Sequence, residues 1–409
     1  MRAAASRIAS TVARARSCRG SFLILPCSKM RVVKNAPPWE YEHDARICSG
    51  SCQEPAANEI SRTGVSMTTL PRTSREVRLA VQPTGLPGPE HFDVVEAPMP
   101  IPRVGEALIR NRYFRISASL RMMISEGAER VEGVPFPALR PGDTLFEETV
   151  GEVLSAPTGC GLSPGDKVLH NLGWREFAAV PVCDCTLLDD ALPDVAAHLG
   201  HGWTAYAALT RSVQILPGDT VFVTSAAGAI GSMAGQIARL LGAGRVIGST
   251  GSQEKARRLV SELGYDSAIV RDEKPLAAQL AQVAPDGVDV CLDTVGGPQL
   301  QAAVKVARTG ARFVVVGALS GQLAAQGTGR TAPVQLDSFD ILLKKITIRG
   351  YSADDDPEVR SEWTHRFGDW LRSGEICFPH VTTDGLEAAP GALRDVIEGR
   401  HFGVVLVRL

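Results

Sequence analysis

Residues 220 to 240 read TVFVTSAAGAIGSMAGQIARL: a β-branched and aromatic run, a turn of glycine and alanine, then apolar positions at helical spacing. A buried strand that passes through a small-residue turn directly into a helix is the opening half of a βαβ unit. The alternation continues through RVIGST, SQEKARRLVSELG, SAIV, PLAAQLAQVA, VDVCLDT, PQLQAAVKVA and ARFVVVG. Parallel strands need crossover connections, and helices supply them, so this pattern predicts a doubly wound parallel α/β sheet with helices on both faces. We assign residues 196–345 to that domain.

The turn SAAGAIGS sets the chemistry. Ala227, Gly228, Ala229 and Gly231 offer small side chains, and the turn brings backbone N–H groups to a helix N-terminus, which suits a dinucleotide pyrophosphate. Ala226 stands where the usual G-x-G-x-x-G fingerprint has its first glycine, so the motif carries weight only within the βαβ pattern around it. A packing turn is the alternative. An NAD site would place an acid about 20 residues beyond the turn for the ribose 2′-hydroxyl. Here the second strand ends VIGSTGS, and Ser252, Lys255 and, one turn on, Arg258 follow. A hydroxyl and cations suit a 2′-phosphate that an acid would repel, so the expected cofactor is NADP(H). Two further strands end in LDTVGG and VVVGALSG, placing Thr294, Gly317, Ala318 and Ser320 at the carboxyl edge of the sheet, where ligands lie in open α/β sheets.

Residues 76–195 change to short β-rich runs (REVRLAV, EALIRNRYFRIS, VGEVLSA, KVLHNLG, REFAAVPV) separated by Pro, Gly and Asp turns, which predicts an antiparallel, barrel-like module. The segment 346–409, with KKITIRGYS, a helix over DPEVRSEWTHRFGDWLRSG and a closing strand GVVLVRL, is read as the chain returning to that module. Residues 1–75 are read as a disordered extension. Its first 34 residues contain eight Lys/Arg and no Asp or Glu, a composition shared by organelle transit peptides. Met67, which leads straight into the first strand, also fits as an alternative start.

Composition narrows the partners. Apolar residues at 44%, charged residues at 22% and a net charge of −2 lack the basic excess that binds nucleic acid electrostatically. No run approaches the ~20 apolar residues of a membrane span. A small-molecule substrate and a cytoplasmic location are expected. The nine cysteines are odd in number and scattered, and Cys183 with Cys185 lacks the companions that close a zinc site, so no metal is expected.

The ordered set WTAY (203–206), SAAGAIGS, GQIARLLG, GSQEK, LDTVGG, VVVGALS and IRGYS resembles the zinc-independent medium-chain dehydrogenase/reductases, particularly the leukotriene/prostaglandin reductase and alkenal double-bond reductase branch. The resemblance runs from about residue 77 to the C-terminus. It implies a GroES-like catalytic domain joined to a Rossmann domain, with substrate in the cleft between them, and leaves a homodimer open. It implies cofactor contacts at Ala229 and Ile230 for the pyrophosphate, Lys255 for the 2′-phosphate, Thr294, Gly317 to Leu319 near the nicotinamide ribose, Tyr351, and Thr204 near the nicotinamide. The Gly-His-Glu motif and the cysteine cluster of zinc-dependent relatives are missing from the sequence.

The departures fall on the substrate side. The family's substrate-contacting tyrosine after CGAIS becomes Gln322, and VDPYMR becomes ISASLR (116–121), with Ser119 in place of the aromatic ring. An adenine-side tyrosine becomes Arg271, which either adds a cation beside the 2′-phosphate or is simply a surface arginine, and a lysine near the C-terminus becomes Val404. The expected function is NADPH-dependent reduction of the activated C=C bond of an electrophilic enone, alkenal or enoyl compound. Quinone reduction on the same scaffold and a non-catalytic NADPH-binding protein remain as alternatives. Gln322 and Tyr206 are the candidate catalytic residues: Gln322 offers an amide donor without a titratable proton, which leaves solvent or the ribose hydroxyl to protonate the α-carbon. Tyr206 within WTAYAAL also suits helix packing, and His201 just before it reads first as a structural histidine.

Overall fold

The computed structural model describes residues 70–130, 137–271, 274–326 and 329–409. The extension read over residues 1–75 lies outside them up to residue 69. Its last three residues are a correction: β1 (Thr73–Leu79) begins inside that span and pairs antiparallel with β2 (Phe92–Pro98). The apolar side chains of Val77 and Leu79 are fully buried, and Val77 N–H donates to Trp174 O, so two-residue periodicity ties this ribbon to the module core.

That module is built on β3 (Glu106–Ile116), followed by the short helix α1 (Arg121–Ile124), β4 (Thr149–Ser155), β5 (Lys167–His170), β6 (Phe177–Pro181) and β7 (Thr186–Leu187). β3 pairs antiparallel with both β4 and β6. Between them lie Ala107, Ile109, Val153, Val168, Ala178 and Val180, all buried.

The second half begins with α2 (Gly202–Ala207) and alternates as β8 (Thr220–Val223), α3 (Gly231–Leu240), β9 (Arg245–Thr250), α4 (Gln253–Leu263), β10 (Ser267–Val270), α5 (Leu276–Val283), β11 (Val288–Asp293), α6 (Gly297–Val306) and β12 (Ala307–Val315). The short α7 (Leu319–Gln322), α8 (Ser338–Lys344) and β13 (Thr347–Gly350) complete it. The sheet order is β10-β9-β8-β11-β12-β13 and every pairing is parallel. Successive strand residues go to opposite faces: Val221, Val223, Val290 and Leu292 join α3 and α4 in one core, while Phe222, Cys291 and Phe313 join α5 and α6 in another. Burial on both faces is why these strands read as continuous apolar runs. The strand order reverses between β8 and β11, which opens a crevice at their carboxyl ends.

The returning segment divides differently from the sequence reading. β13, grouped there with the first module, pairs in register with β12 and forms the edge of the parallel sheet. α9 (Glu358–Ser373) also packs on this side, with Val359, Trp363 and Phe367 in the core around α2. β14 (His380–Asp384), α10 (Ala389–Ile397) and β15 (Val404–Arg408) are the elements that cross back, β15 lying antiparallel against β3. A four-residue, mostly exposed edge strand such as TIRG cannot declare from sequence which sheet it will extend. No helix among the described residues is long and apolar enough to cross a membrane.

Candidate functional site

The turn between β8 and α3 is held from below. Ser225 takes a positive φ of 49° and its N–H donates to Ser249 Oγ at 3.1 Å, while Ala226 N–H donates to Ser249 O at 2.8 Å. A Cβ at Gly231 would sit 2.4 Å from Ser225 O, so the helix can start this close to the strand only with glycine there. Ala226 is accommodated by Gly248 on β9, where a Cβ would stand 2.6 Å from the Ala226 methyl. The glycine missing from the fingerprint has thus moved to the neighbouring strand. Tyr265 seals the underside, its hydroxyl donating to Gly231 O at 2.6 Å.

The N–H groups of Ala229 and Ile230 find no backbone acceptor among the described residues, and no side chain caps α3. Unsatisfied donors at a helix N-terminus suit an anion. Ala227 is also a joint: its carbonyl accepts from Gly403 N–H at 2.9 Å, which ties the turn to the loop before β15.

At the end of β9, Ser252 caps α4 by accepting from Lys255 N–H at 3.3 Å. The half-buried Lys255 ammonium donates to the carbonyls of Gly399 and His401. Burial, with Arg271 and Arg258 nearby, pulls its pKa down. Arg271 lies 3.1 Å from the position a Gly251 Cβ would take, so Ser252, Lys255 and Arg271 converge. Arg258 does not join them: it pairs with Glu262 at 2.8 Å and its guanidinium lies 4.1 Å over the Phe402 ring. The donor set of amides, hydroxyl and two cations matches pyrophosphate plus a 2′-phosphate.

Across the crevice, Asp293 ends β11 fully buried and accepts from Thr224 Oγ1 (2.7 Å) and from the N–H groups of Val295 and Gly296. Burial pushes its pKa up against those bonds. Thr294 donates its hydroxyl to Thr224 O at 3.2 Å and so latches β11 to β8. Its carbonyl accepts from Leu319 N–H and lies 2.9 Å from the Cβ position of Gly317, so Thr294, Gly317, Ala318 and Leu319 do come together. Ser320 Oγ is buried beside Gly297 with no hydrogen-bond partner among the described residues. Tyr351 N–H donates to Val315 O and places that ring at the end of β12.

The two candidate catalytic residues fall in different places. Gln322 ends α7 at the joint with α1, its Nε2 lying 3.7 Å from Met122 Sδ. Ser119 sits nearby in ISASLR, its hydroxyl 2.6 Å from that of Ser117. Tyr206 is buried between Trp363 and Trp370, and its hydroxyl donates to Glu362. Burial and that bond push its pKa up to about 12. The packing reading of Tyr206 therefore stands in place of the acid. Thr204, on the same helix, is partly exposed, and α2 packs directly on α3.

Sequence reasoning missed Gly399, His401 and Gly403, which reach the cofactor crevice from the far end of the chain and carry no motif. It also passed over Arg121, although that arginine closes the quoted ISASLR, and Met122 and Arg330 beside it. Among the described residues no group of three or more His, Cys, Asp or Glu is placed to hold a metal ion.

The chain matches the family model of zinc-binding dehydrogenases over residues 229–369 and that of the N-terminal domain of oxidoreductases over residues 75–187. It is 30% identical over 336 residues to the NADPH-dependent curcumin reductase of Escherichia coli (strain K12), across 81% of this chain and 95% of that protein. It is 27% identical over 344 residues to the NADP(+)-dependent 2-alkenal reductase of Nicotiana tabacum, across 82% and 97%. The crystal structure of CurA in complex with NADPH from Vibrio vulnificus matches with a TM-score of 0.73 at 30% identity, covering 82% of this chain and 98% of that one.

Proposed function

Because this chain belongs to the zinc-independent branch of the medium-chain dehydrogenase/reductases and is an NADP-dependent oxidoreductase, we propose that it reduces the activated C=C bond of an α,β-unsaturated carbonyl compound. The observations that carry the reading are the convergence of Ser252, Lys255 and Arg271 at the end of β9, and Gln322 on α7, whose first residue is bonded to Thr294 at the end of β11. Its relatives named for curcumin and 2-alkenal reduction support the substrate class.

When bound, NADPH supplies a hydride, and the protein supplies orientation and electrostatics. The Ala229 and Ile230 amides at the N-terminus of α3 hold the pyrophosphate. Lys255, Arg271 and Ser252 hold the 2′-phosphate. The backbone of Gly317, Ala318 and Leu319 borders the nicotinamide side, with Thr204, Thr294 and Tyr351 lining the same crevice. Gln322 Nε2 donates to the substrate carbonyl oxygen, where negative charge develops as the β-carbon is reduced. A primary amide cannot deliver a proton at neutral pH, which leaves solvent or the ribose hydroxyl as the proton source for the α-carbon.

We also propose a homodimer through the edge of the parallel sheet. Among the described residues one side of β13 is unpaired, and α8, just before it in the chain, exposes Phe339, Leu342 and Leu343. Light scattering of the purified protein tests the assembly, and cell fractionation tests the expected cytoplasmic location. The activity is tested by following NADPH oxidation with enones, 2-alkenals, an enoyl thioester and quinones. Turnover of enones or alkenals is expected. Turnover of quinones alone, or tight NADPH binding with no acceptor consumed, overturns the reading.

A further inference from the structure

We propose that Arg121 and Arg330 form a reciprocal clasp across the cleft that positions Gln322, which makes Arg121 a positioning residue for the reaction. The proposal rests on the functional reading above for its kinetic consequence, but its structural core stands on backbone contacts alone.

Arg121 belongs to α1 of the β-rich module and is fully buried. Its Nη1 donates to the carbonyl oxygens of Gln322 and Ala324, the latter at 2.6 Å. Arg330, beyond α7 on the other side, reaches back: its Nε donates to Met122 O at 3.0 Å and its Nη2 shares that acceptor. Each segment therefore fixes the other's main chain, and the Gln322 amide rests on Met122 Sδ between the two bonds. The packing fits this role. Gly329 takes φ +75°, and a Cβ there would stand 3.1 Å from Arg121 Cδ and 3.4 Å from Gln322 Cα, so the chain closes over the arginine stem.

The amino end of α7 is anchored to the parallel sheet, Leu319 N–H on Thr294 O and Ser320 N–H on Val295 O. Its carboxyl end is held by Arg121 from the other module. Gln322 thus sits between two anchors, one on each side of the cleft. Ser125 Oγ, donating to Arg121 O at 2.8 Å, completes the fixed end of α1. Both bonds leave one nitrogen, Nη1, whose two N–H groups lie fixed in the guanidinium plane and so set the directions in which the two carbonyls are held.

The test combines hydrogen exchange with kinetics in Arg121→Met, Arg121→Lys, Arg330→Met, Gln322→Ala and the Arg121→Met/Gln322→Ala double variant. Arg121→Met is expected to speed amide exchange across residues 319–326. It should lower kcat/KM for the enone by about 10- to 100-fold through displaced geometry. The NADPH Kd should stay within about twofold, because no cofactor contact is removed. Arg121→Lys should recover part of the loss, and the double variant should lose no more than the worse single one. Unchanged exchange, losses that multiply in the double variant, or an NADPH Kd that rises in step with lowered Tm overturns the clasp. If Arg121→Met fails to fold, Arg330→Met decides by the same readouts. A wild type inert toward enones sinks the substrate reading alone, since exchange and cofactor affinity still judge the clasp.

Discussion

The Lys255 ammonium donates to the carbonyl oxygen of His401 at 2.6 Å, a bond between the start of α4 and the loop that leads into β15. One cation thereby serves two purposes. In the proposed function it is the charge that faces a 2′-phosphate, and in the structure it ties the parallel-sheet domain to the returning C-terminal segment.

Lys255→Ala should therefore weaken NADPH by the worth of a charge-assisted pair, about 1.5–3 kcal/mol, and leave NADH nearly unchanged. Titration calorimetry with both cofactors measures this. Equal weakening of the two would place Lys255 outside the phosphate site.

Gly231→Ala and Gly228→Ala separate packing in the turn from simple loss of glycine. A Cβ at Gly231 meets Ser225 O at 2.4 Å and the Ala226 backbone at 2.5 Å, whereas at Gly228 the nearest atoms are at 3.2 and 3.3 Å. Gly231→Ala should cost about 1–3 kcal/mol of stability by overpacking and abolish tight NADPH binding. Gly228→Ala should be the milder change in both Tm and Kd, and the reverse order would contradict the turn geometry.

Tyr206→Phe should leave kcat for the best acceptor unchanged. The lost hydroxyl bond to the partly exposed Glu362 should lower stability by about 1 kcal/mol in urea unfolding. A large fall in kcat at unchanged stability would return Tyr206 to the catalytic group.

His170 sets an acid-side dependence. Burial, helped by Arg175, pushes its pKa from 6.5 down to about 3. Its Nδ1 accepts from Leu172 N–H, and its Nε2 lies 3.0 Å from Asn111 Oδ1, so the neutral ring is the one that fits. The unfolded chain takes up the proton near 6.5 and the folded one only near 3. Stability contributed by neutral His170 is thus complete above 6.5 and is lost as pH falls below it. The slope approaches about 1.4 kcal/mol per pH unit. Urea unfolding at pH 7.5 and at pH 5 should differ more in the wild type than in His170→Gln.

How much was legible follows the range of each interaction. The parallel sheet could be read because Val221, Phe222 and Val223 lie in a strand buried on both faces, and because helices follow strands at fixed intervals. The glycine turn was legible through Gly228 and Gly231, and the cofactor choice through Lys255 with no acid before it. These are local signals, fixed by repeats of two and 3.6 residues and by backbone sterics.

Tertiary structure decided the rest. It gave β13 to the parallel sheet, spent the Thr294 hydroxyl on Thr224, turned Arg258 to Glu262, buried Tyr206 among tryptophans and set Arg121 on the carbonyls of Gln322 and Ala324. The last of these joins residues 201 and 203 positions apart. No periodicity spans such a distance: a carbonyl is an acceptor on almost every residue, and which one an arginine meets is settled only when the two modules close on each other.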